Sequence, residues 1–265
     1  MPKFAASLSW LFQEVPLLQR FQSAADAGFQ AVEVQAPYEV SAKALAEQLE
    51  RHNLTAVLIN MQPGLAAIPG SQSEFRKSLD RALAYADTMH CQQLHCLSGI
   101  TDNPRAEETL VSNLRWASEQ ASQHGVRLLL EPLNTTDNPG YFLTGTNQAR
   151  RIIEAVDSPY VAMQFDAYHL QIMEGSLTES LRKHFDIIAH IQIGGVPGRH
   201  EPDHRQEINY PYLFDLIDEL GFEGWVGCEY APIPGTNGLD WAQPYGIGTA
   251  NTRGESTSPP ITSNA

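Results

Sequence analysis

Cysteine is scarce in this chain, with three residues, Cys91, Cys96 and Cys228, among 265. They form no CxxC pair and no even framework, which excludes a disulfide scaffold and fits buried thiols in a reducing compartment. Positive charge is also short: 17 Lys and Arg face 31 Asp and Glu, for a formal net charge of -14. Such a surface repels phosphate backbones and anionic lipid, and no Lys/Arg run offers a local exception, so neither nucleic acid nor membrane is an expected partner. No apolar stretch approaches the roughly 20 residues of a membrane span. The N-terminal MPKFAASLSW lacks the charged-then-apolar order of a signal peptide, so the expected location is the cytoplasm. Asn134-Thr135-Thr136 matches a glycosylation acceptor, which carries no weight without an export signal.

What is present is an ordinary globular composition, 42% hydrophobic and 18% charged, enough for a core without staples. Short apolar runs recur at Phe4 to Leu8, Ala31 to Val34, Thr55 to Asn60, Gln93 to Cys96, Arg127 to Glu131, Val161 to Asp166, Ile187 to Ile193 and Gly224 to Glu229. Segments with helical spacing lie between them, near Pro16 to Ala27, Ser41 to His52, Ser73 to His90, Glu107 to His124, Thr146 to Val156, Leu177 to Phe185 and Tyr210 to Leu220. Ser41 suits an N-cap, and Gly28, Gly125 and Gly221 suit left-handed C-terminal positions. Strand and helix alternating through eight units predict parallel strands closed as a single (β/α)8 TIM barrel. A doubly wound open sheet is the alternative, but its Gly-rich first turn is missing from LSWLFQEVP. The barrel is expected over 1–246, and the Ser, Thr and Pro-rich end, 247–265, reads as a disordered tail.

In such a barrel, chemistry sits where strands end at their C-terminal side. Glu131 ends RLLLE, Asp166 ends VAMQFD, Gln192 falls late in IIAHIQI and Glu229 ends GWVGCE, one βα unit apart each time. Period 2 puts them in phase with Leu129, Gln164, His190 and Gly227, so inward orientation of all four makes them converge. Three carboxylates in one place raise each other's pKa unless a cation joins them. An oxygen-only set of three carboxylates and one amide, without thiolate or imidazole, favours Mg2+ or Mn2+ over Zn2+.

The segments EPLNTTDNPGYFLTGT, QFDAYHLQIMEG, HIQIGGVPGRHEP, EINYPYLF and GWVGCEY, in this order, resemble the hydroxypyruvate isomerase family within the xylose isomerase-like barrels. The resemblance runs from FAASLSWLF at Phe4 to WAQPYG at Gly246. It implies that Glu131 and Glu229 are the paired proton donor and acceptor. It also implies that Glu131, Asp166, Gln192 and Glu229 form the metal site and that His169 and Arg199 face the substrate. Two departures stand out. MQPG runs directly into LAAIPG after the third strand, where the family carries a longer segment, and CEYAP puts Ala231 where the family has lysine. The turn before EINY is DHRQ, so a second cation is either missing or supplied by Arg205.

The reaction implied interconverts hydroxypyruvate and tartronate semialdehyde, in which a carbonyl moves to the adjacent carbon. Two carboxylates flanking a planar enediolate can move the protons, each typically contributing about 10²- to 10⁴-fold. Arg199 suits bidentate binding of a substrate carboxylate, against the alternative of an exposed loop arginine. His169 suits polarising a substrate oxygen, against a buried structural histidine. Glu33 would orient substrate or arginine side chains, Asp137 would bind a hydroxyl or serve turn chemistry, and His95 and His190 read as satisfied core histidines. Trp10 and Phe12 either wall the ligand or pack on helices. The leading function is therefore an isomerase of small 2-keto acids, compatible with a homo-oligomer, with 2-oxo-tetronate as alternative substrate. A ketose 3-epimerase, an endonuclease IV-like nuclease and a non-catalytic keto-acid or sugar-binding barrel rank below it.

Overall fold

The computed structural model describes residues 1–248, so the expected tail falls, from residue 249 on, outside the described residues. Strands β1 (Lys3–Ser7), β2 (Ala31–Val34), β3 (Thr55–Met61), β4 (Gln93–Cys96), β5 (Arg127–Leu130), β6 (Val161–Asp166), β7 (Ile188–Ile193) and β8 (Trp225–Cys228) pair in parallel, in chain order, and β8 closes on β1. The outer helices are α1 (Leu17–Asp26), α2 (Ala42–His52), α3 (Gln72–Met89), α4 (Ala106–Gln123), α5 (Thr146–Val156), α6 (Ala167–Met173), α7 (Leu177–His184) and α8 (Tyr210–Glu219). This is the expected TIM barrel. No helix among the described residues is long and apolar enough to cross a membrane.

Helix ends follow local chemistry. Ser41 Oγ accepts from the Ala44 N–H at 3.3 Å, and Gly28, Gly125 and Gly221 all take positive φ. The periodicity does not predict α6. It starts directly at the end of β6, where Asp166 Oδ1 accepts from the Tyr168 N–H at 2.8 Å as an N-cap. Its residues Ala167, Tyr168, His169 and Leu170 are all buried, so no polar face marks it in the sequence.

Two kinds of core hold the barrel. Outward faces of the strands pack against the helices through residues such as Leu128, Phe165 and Val226 with Phe21, Phe75, Leu114 and Ile152. Each such side chain contributes about 1.5–3 kcal/mol on burial. Inside, small clusters fill the barrel: Ala5, Ala31 and Val57 against Trp225, and Leu58 with Leu129, Ala162 and Ala189. Two residues beyond Leu129 comes Glu131, so the interior turns from apolar to polar towards the C-terminal ends. The register pairs Asp166 with Gln192 and Gln192 with Gly227, which sets the last inward positions of β6, β7 and β8 side by side.

Candidate active site

Glu131 and Glu229 lie one residue beyond β5 and β8, Asp166 ends β6, and Gln192 lies within β7; all four are buried. Arg199, on the loop after β7, joins two of them. Its Nη2 donates to Asp166 Oδ2 at 2.9 Å and to Glu229 Oε1 at 2.7 Å, and its Nε donates to the Glu229 carbonyl at 3.2 Å. The guanidinium lies over two aromatic rings, 4.5 Å from the centroid of Trp10 and 4.8 Å from that of Tyr168. Its backbone is held in the left-handed region, φ 53°, by stitching between two loops. The Ala231 N–H donates to the Arg199 carbonyl, the Gly195 N–H to the His200 carbonyl, and Glu201 accepts from the Ile233 N–H and Thr236 Oγ1. Gly194 leaves the Arg199 stem its room, since a Cβ there would lie 3.1 Å from Arg199 Cγ.

The electrostatics follow from three carboxyls in a dry place with one guanidinium. Burial, then Glu229 and Asp166, push Glu131 well above the usual carboxylate range. Burial pushes Glu229 up to about 8; Arg199 opposes this, while Asp166 and Glu33 add to it. Arg199, although burial works against its charge, is held more firmly protonated by Glu229, Asp166 and Glu131. Glu131 Oε1 and Glu229 Oε2 are buried and have no hydrogen-bond partner among the described residues. Unpartnered carboxylate oxygens beside excess negative charge are what a hard divalent cation satisfies, so the residues present fit one. Ligand atoms of Glu131, Asp166 and His169 lie within 4.8 Å of one another.

Below the acids runs a second polar layer, part of which departs from the expectation for its histidines and for Glu33. His95 and His190 are not fully satisfied core histidines. His95 Nδ1 sits 3.3 Å from Glu131 Oε2, so it touches the site, while His95 Nε2 and His190 Nδ1 have no hydrogen-bond partner among the described residues. Burial, then His169 and His190, hold His95 down at about 3, hence neutral. Among the described residues Glu33 pairs with no arginine. Its Oε1 meets His190 Nε2 at 2.5 Å and its Oε2 accepts from Gln192 Nε2 at 3.0 Å. A carboxylate only accepts, so Glu33 fixes which way the Gln192 amide faces; Gln192 Oε1 then receives Gln164 Nε2. Gly227 makes room for this, because a Cβ there would fall 1.8 Å from Glu33 Oε1.

The remaining candidates divide. His169 Nε2 lies 3.6 Å from Asp166 Oδ2 and 4.0 Å from Glu131 Oε1, and burial lowers it to about 4. Asp137 receives both Tyr168 Oη at 2.7 Å and Asn134 Nδ2 at 2.9 Å, which outweigh burial and keep its carboxyl below its ordinary value. Trp10 lines the site against Arg199, whereas Phe12 packs edge-on against Phe29 at 6.5 Å. Arg205 is exposed and lines a separate groove of about 740 Å³ with Trp241 and Tyr245. Position 231 adds no cation, so among the described residues Arg199 is the arginine bonded to the site carboxylates. The short segment after β3 folds onto the loop after β4, the Ala67 N–H donating to the Ser98 carbonyl at 2.8 Å.

The xylose isomerase-like TIM barrel family model matches residues 21–245. The 2-oxo-tetronate isomerase of Cupriavidus necator is 44% identical over 258 residues, covering 92% of this chain and 99% of that protein. Hydroxypyruvate isomerase of Escherichia coli is 40% identical, covering 92% and 100%. A crystal structure from Brucella melitensis, described as AP endonuclease, family 2, has a TM-score of 0.90 at 47% identity and covers 92% and 99%. D-psicose 3-epimerase from Clostridium cellulolyticum H10 shares the fold, with a TM-score of 0.75 at 19% identity over 86% of this chain and 85% of that one.

Proposed function

This chain belongs to the xylose isomerase-like TIM barrel family, among relatives named as isomerases, and from that premise we propose that it isomerises small 2-keto acids between two glutamates at a divalent metal. The observation that carries the reading is the buried pair Glu131 and Glu229, each with an unpartnered oxygen, beside Asp166 and Arg199. Glu131, Asp166, Gln192 and Glu229 would hold Mg2+ or Mn2+, which when bound supplies a positive centre that stabilises negative charge developing on substrate oxygens.

The chemistry assigned to the chain's own groups is proton movement. In hydroxypyruvate, one glutamate takes a proton from the hydroxymethyl carbon, C3, leaving a planar enediolate. The other returns a proton to C2, while the hydroxyl proton passes from the C3 oxygen to the C2 oxygen, giving tartronate semialdehyde. Arg199 would turn from the acids to the substrate carboxylate, its faces kept in register by Trp10 and Tyr168. His169 would meet a substrate oxygen.

A second substrate has a specific observation in its favour: the relative at 44% identity is named for 2-oxo-tetronate, against 40% for the hydroxypyruvate isomerase of E. coli. A four-carbon 2-oxo acid bearing a hydroxyl at C3 undergoes the same carbonyl migration with one more carbon attached. The nuclease reading invited by the Brucella structure has less support, because a chain of net charge -14 disfavours a polyanion. Turnover of hydroxypyruvate, 2-oxo-tetronates and free ketoses by the metal-loaded protein tests the proposal. Conversion of a 2-keto acid supports it, and turnover of neutral ketoses alone contradicts it.

A further inference from the structure

His169 presents two ring nitrogens to different surroundings. Nε2 faces the acids Asp166 and Glu131, and Nδ1 faces Asn134, which lies three residues after Glu131 and is fully buried. The Asn134 backbone N–H points at Nδ1 at 3.1 Å, and the Asn134 side-chain Nδ2 lies 2.7 Å from the same nitrogen. The side-chain orientation is itself fixed. The Asp137 backbone N–H, which can only donate, meets Asn134 Oδ1 at 2.8 Å, and the Asp137 carboxylate, an acceptor, takes Asn134 Nδ2 at 2.9 Å. Turning the amide over would set donor against donor and oxygen against oxygen.

We infer that Asn134 is a positioning residue that locks His169 as the Nε2–H tautomer, so that His169 presents a fixed N–H donor to the substrate. Two N–H groups converge on Nδ1, which therefore keeps its lone pair, and in a neutral imidazole the proton must then sit on Nε2. A metal ligand at Nε2 would need the opposite tautomer, with a proton on Nδ1 driven against both Asn134 donors. This arrangement separates His169 from the carboxylates it adjoins: although close enough to join a cation site, it is prepared to donate. A donor aimed where negative charge develops on a substrate oxygen acts chiefly in the transition state. The Asp137 carboxylate, held in turn by Tyr168 Oη, completes the support.

The catalytic consequence rests on the isomerase reading, but the tautomer does not, and the test separates them. Protein labelled with 15N-histidine and loaded with Mg2+ is examined by NMR, with the His169 signals assigned by their loss in His169→Gln. The expected wild-type result is a pyridine-type Nδ1 and a pyrrole-type Nε2; a pyrrole-type Nδ1 overturns the inference without reliance on any variant. Asn134→Asp replaces the side-chain donor with an acceptor. It should bring a proton onto Nδ1 and lower kcat by about 10- to 100-fold, the usual cost of losing an outer hydrogen-bond partner, with a smaller change in KM. A variant that keeps both the wild-type tautomer and kcat overturns the inference, as does one whose kcat falls while the tautomer is unchanged. A wild-type protein with pyrrole-type Nε2 that converts none of the tested 2-keto acids instead overturns the isomerase reading and leaves the lock standing.

Discussion

Arg199 and Glu229 are joined twice, side chain to side chain at 2.7 Å and guanidinium to main-chain carbonyl at 3.2 Å. In the metal-free protein, Arg199 therefore serves as counter-ion to a site with three carboxyls. Removing one partner of a buried ion pair typically costs about 3–5 kcal/mol. Arg199→Ala should lower the melting temperature of protein stripped with chelator and recover much of the loss when Mg2+ or Mn2+ is added. In the loaded enzyme it should chiefly raise KM for carboxylate substrates, because a charge-assisted bond made in ground and transition states alike is lost. An unchanged KM would show that another group holds the carboxylate.

The pH dependence of stability follows from opposing groups. His169 and His95, lowered to about 4 and 3, bind fewer protons folded than unfolded, so their contribution grows as pH rises to about 6.5 and then stays constant. Glu229, raised from 4.5 to about 8, binds more protons folded, so its contribution is fully present below 4.5 and is lost as pH rises through about 8. Between about pH 6.5 and 8 the glutamates act without the histidines. Metal-free protein should lose stability across that window, and Glu229→Gln should flatten the loss. Melting curves that rise with pH there would contradict the assigned cause.

Much of this was legible in the chain. The apolar runs AVEV, QLHC and VAMQFD match β2, β4 and β6 in their bounds, and Glu131, Asp166, Gln192 and Glu229 all lie buried at or near the C-terminal ends of their strands, where the strand-end pattern put them. The layer beneath was not legible, because Glu33 and His190 meet across 157 positions of sequence and only barrel closure brings them together. The contact of His95 was hidden for a different reason: a histidine inside a strand gives no sign that Glu131, two residues past its ladder partner Leu129, comes within 3.3 Å. Asn134, followed by two threonines, carries the signature of a surface acceptor and is instead fully buried.

Gly227→Ala tests that lower layer. The added methyl overlaps the Glu33 carboxylate, which must move and release His190 and Gln192. Metal affinity should fall by about 10- to 100-fold, as for loss of an outer-shell partner, with the barrel still folded by circular dichroism. Unaltered metal affinity would detach Glu33 from the site.

Asp166→Asn removes a negative charge from the proposed ligand set while keeping its shape. Calorimetric titration with Mn2+ should show weaker binding, and turnover at saturating metal should recover further than turnover of either glutamate variant. Equal loss at saturation would place Asp166 in the proton transfer itself.

Whether Glu131 and Glu229 share the proton transfer is read from exchange of the substrate's carbon-bound proton with deuterated solvent in Glu131→Gln and Glu229→Gln. Both variants should still bind metal and lose isomerisation by about 10²- to 10⁴-fold. One of them should still exchange the proton while the other does not, which identifies the base. Near wild-type isomerisation in both variants would contradict the paired-glutamate mechanism.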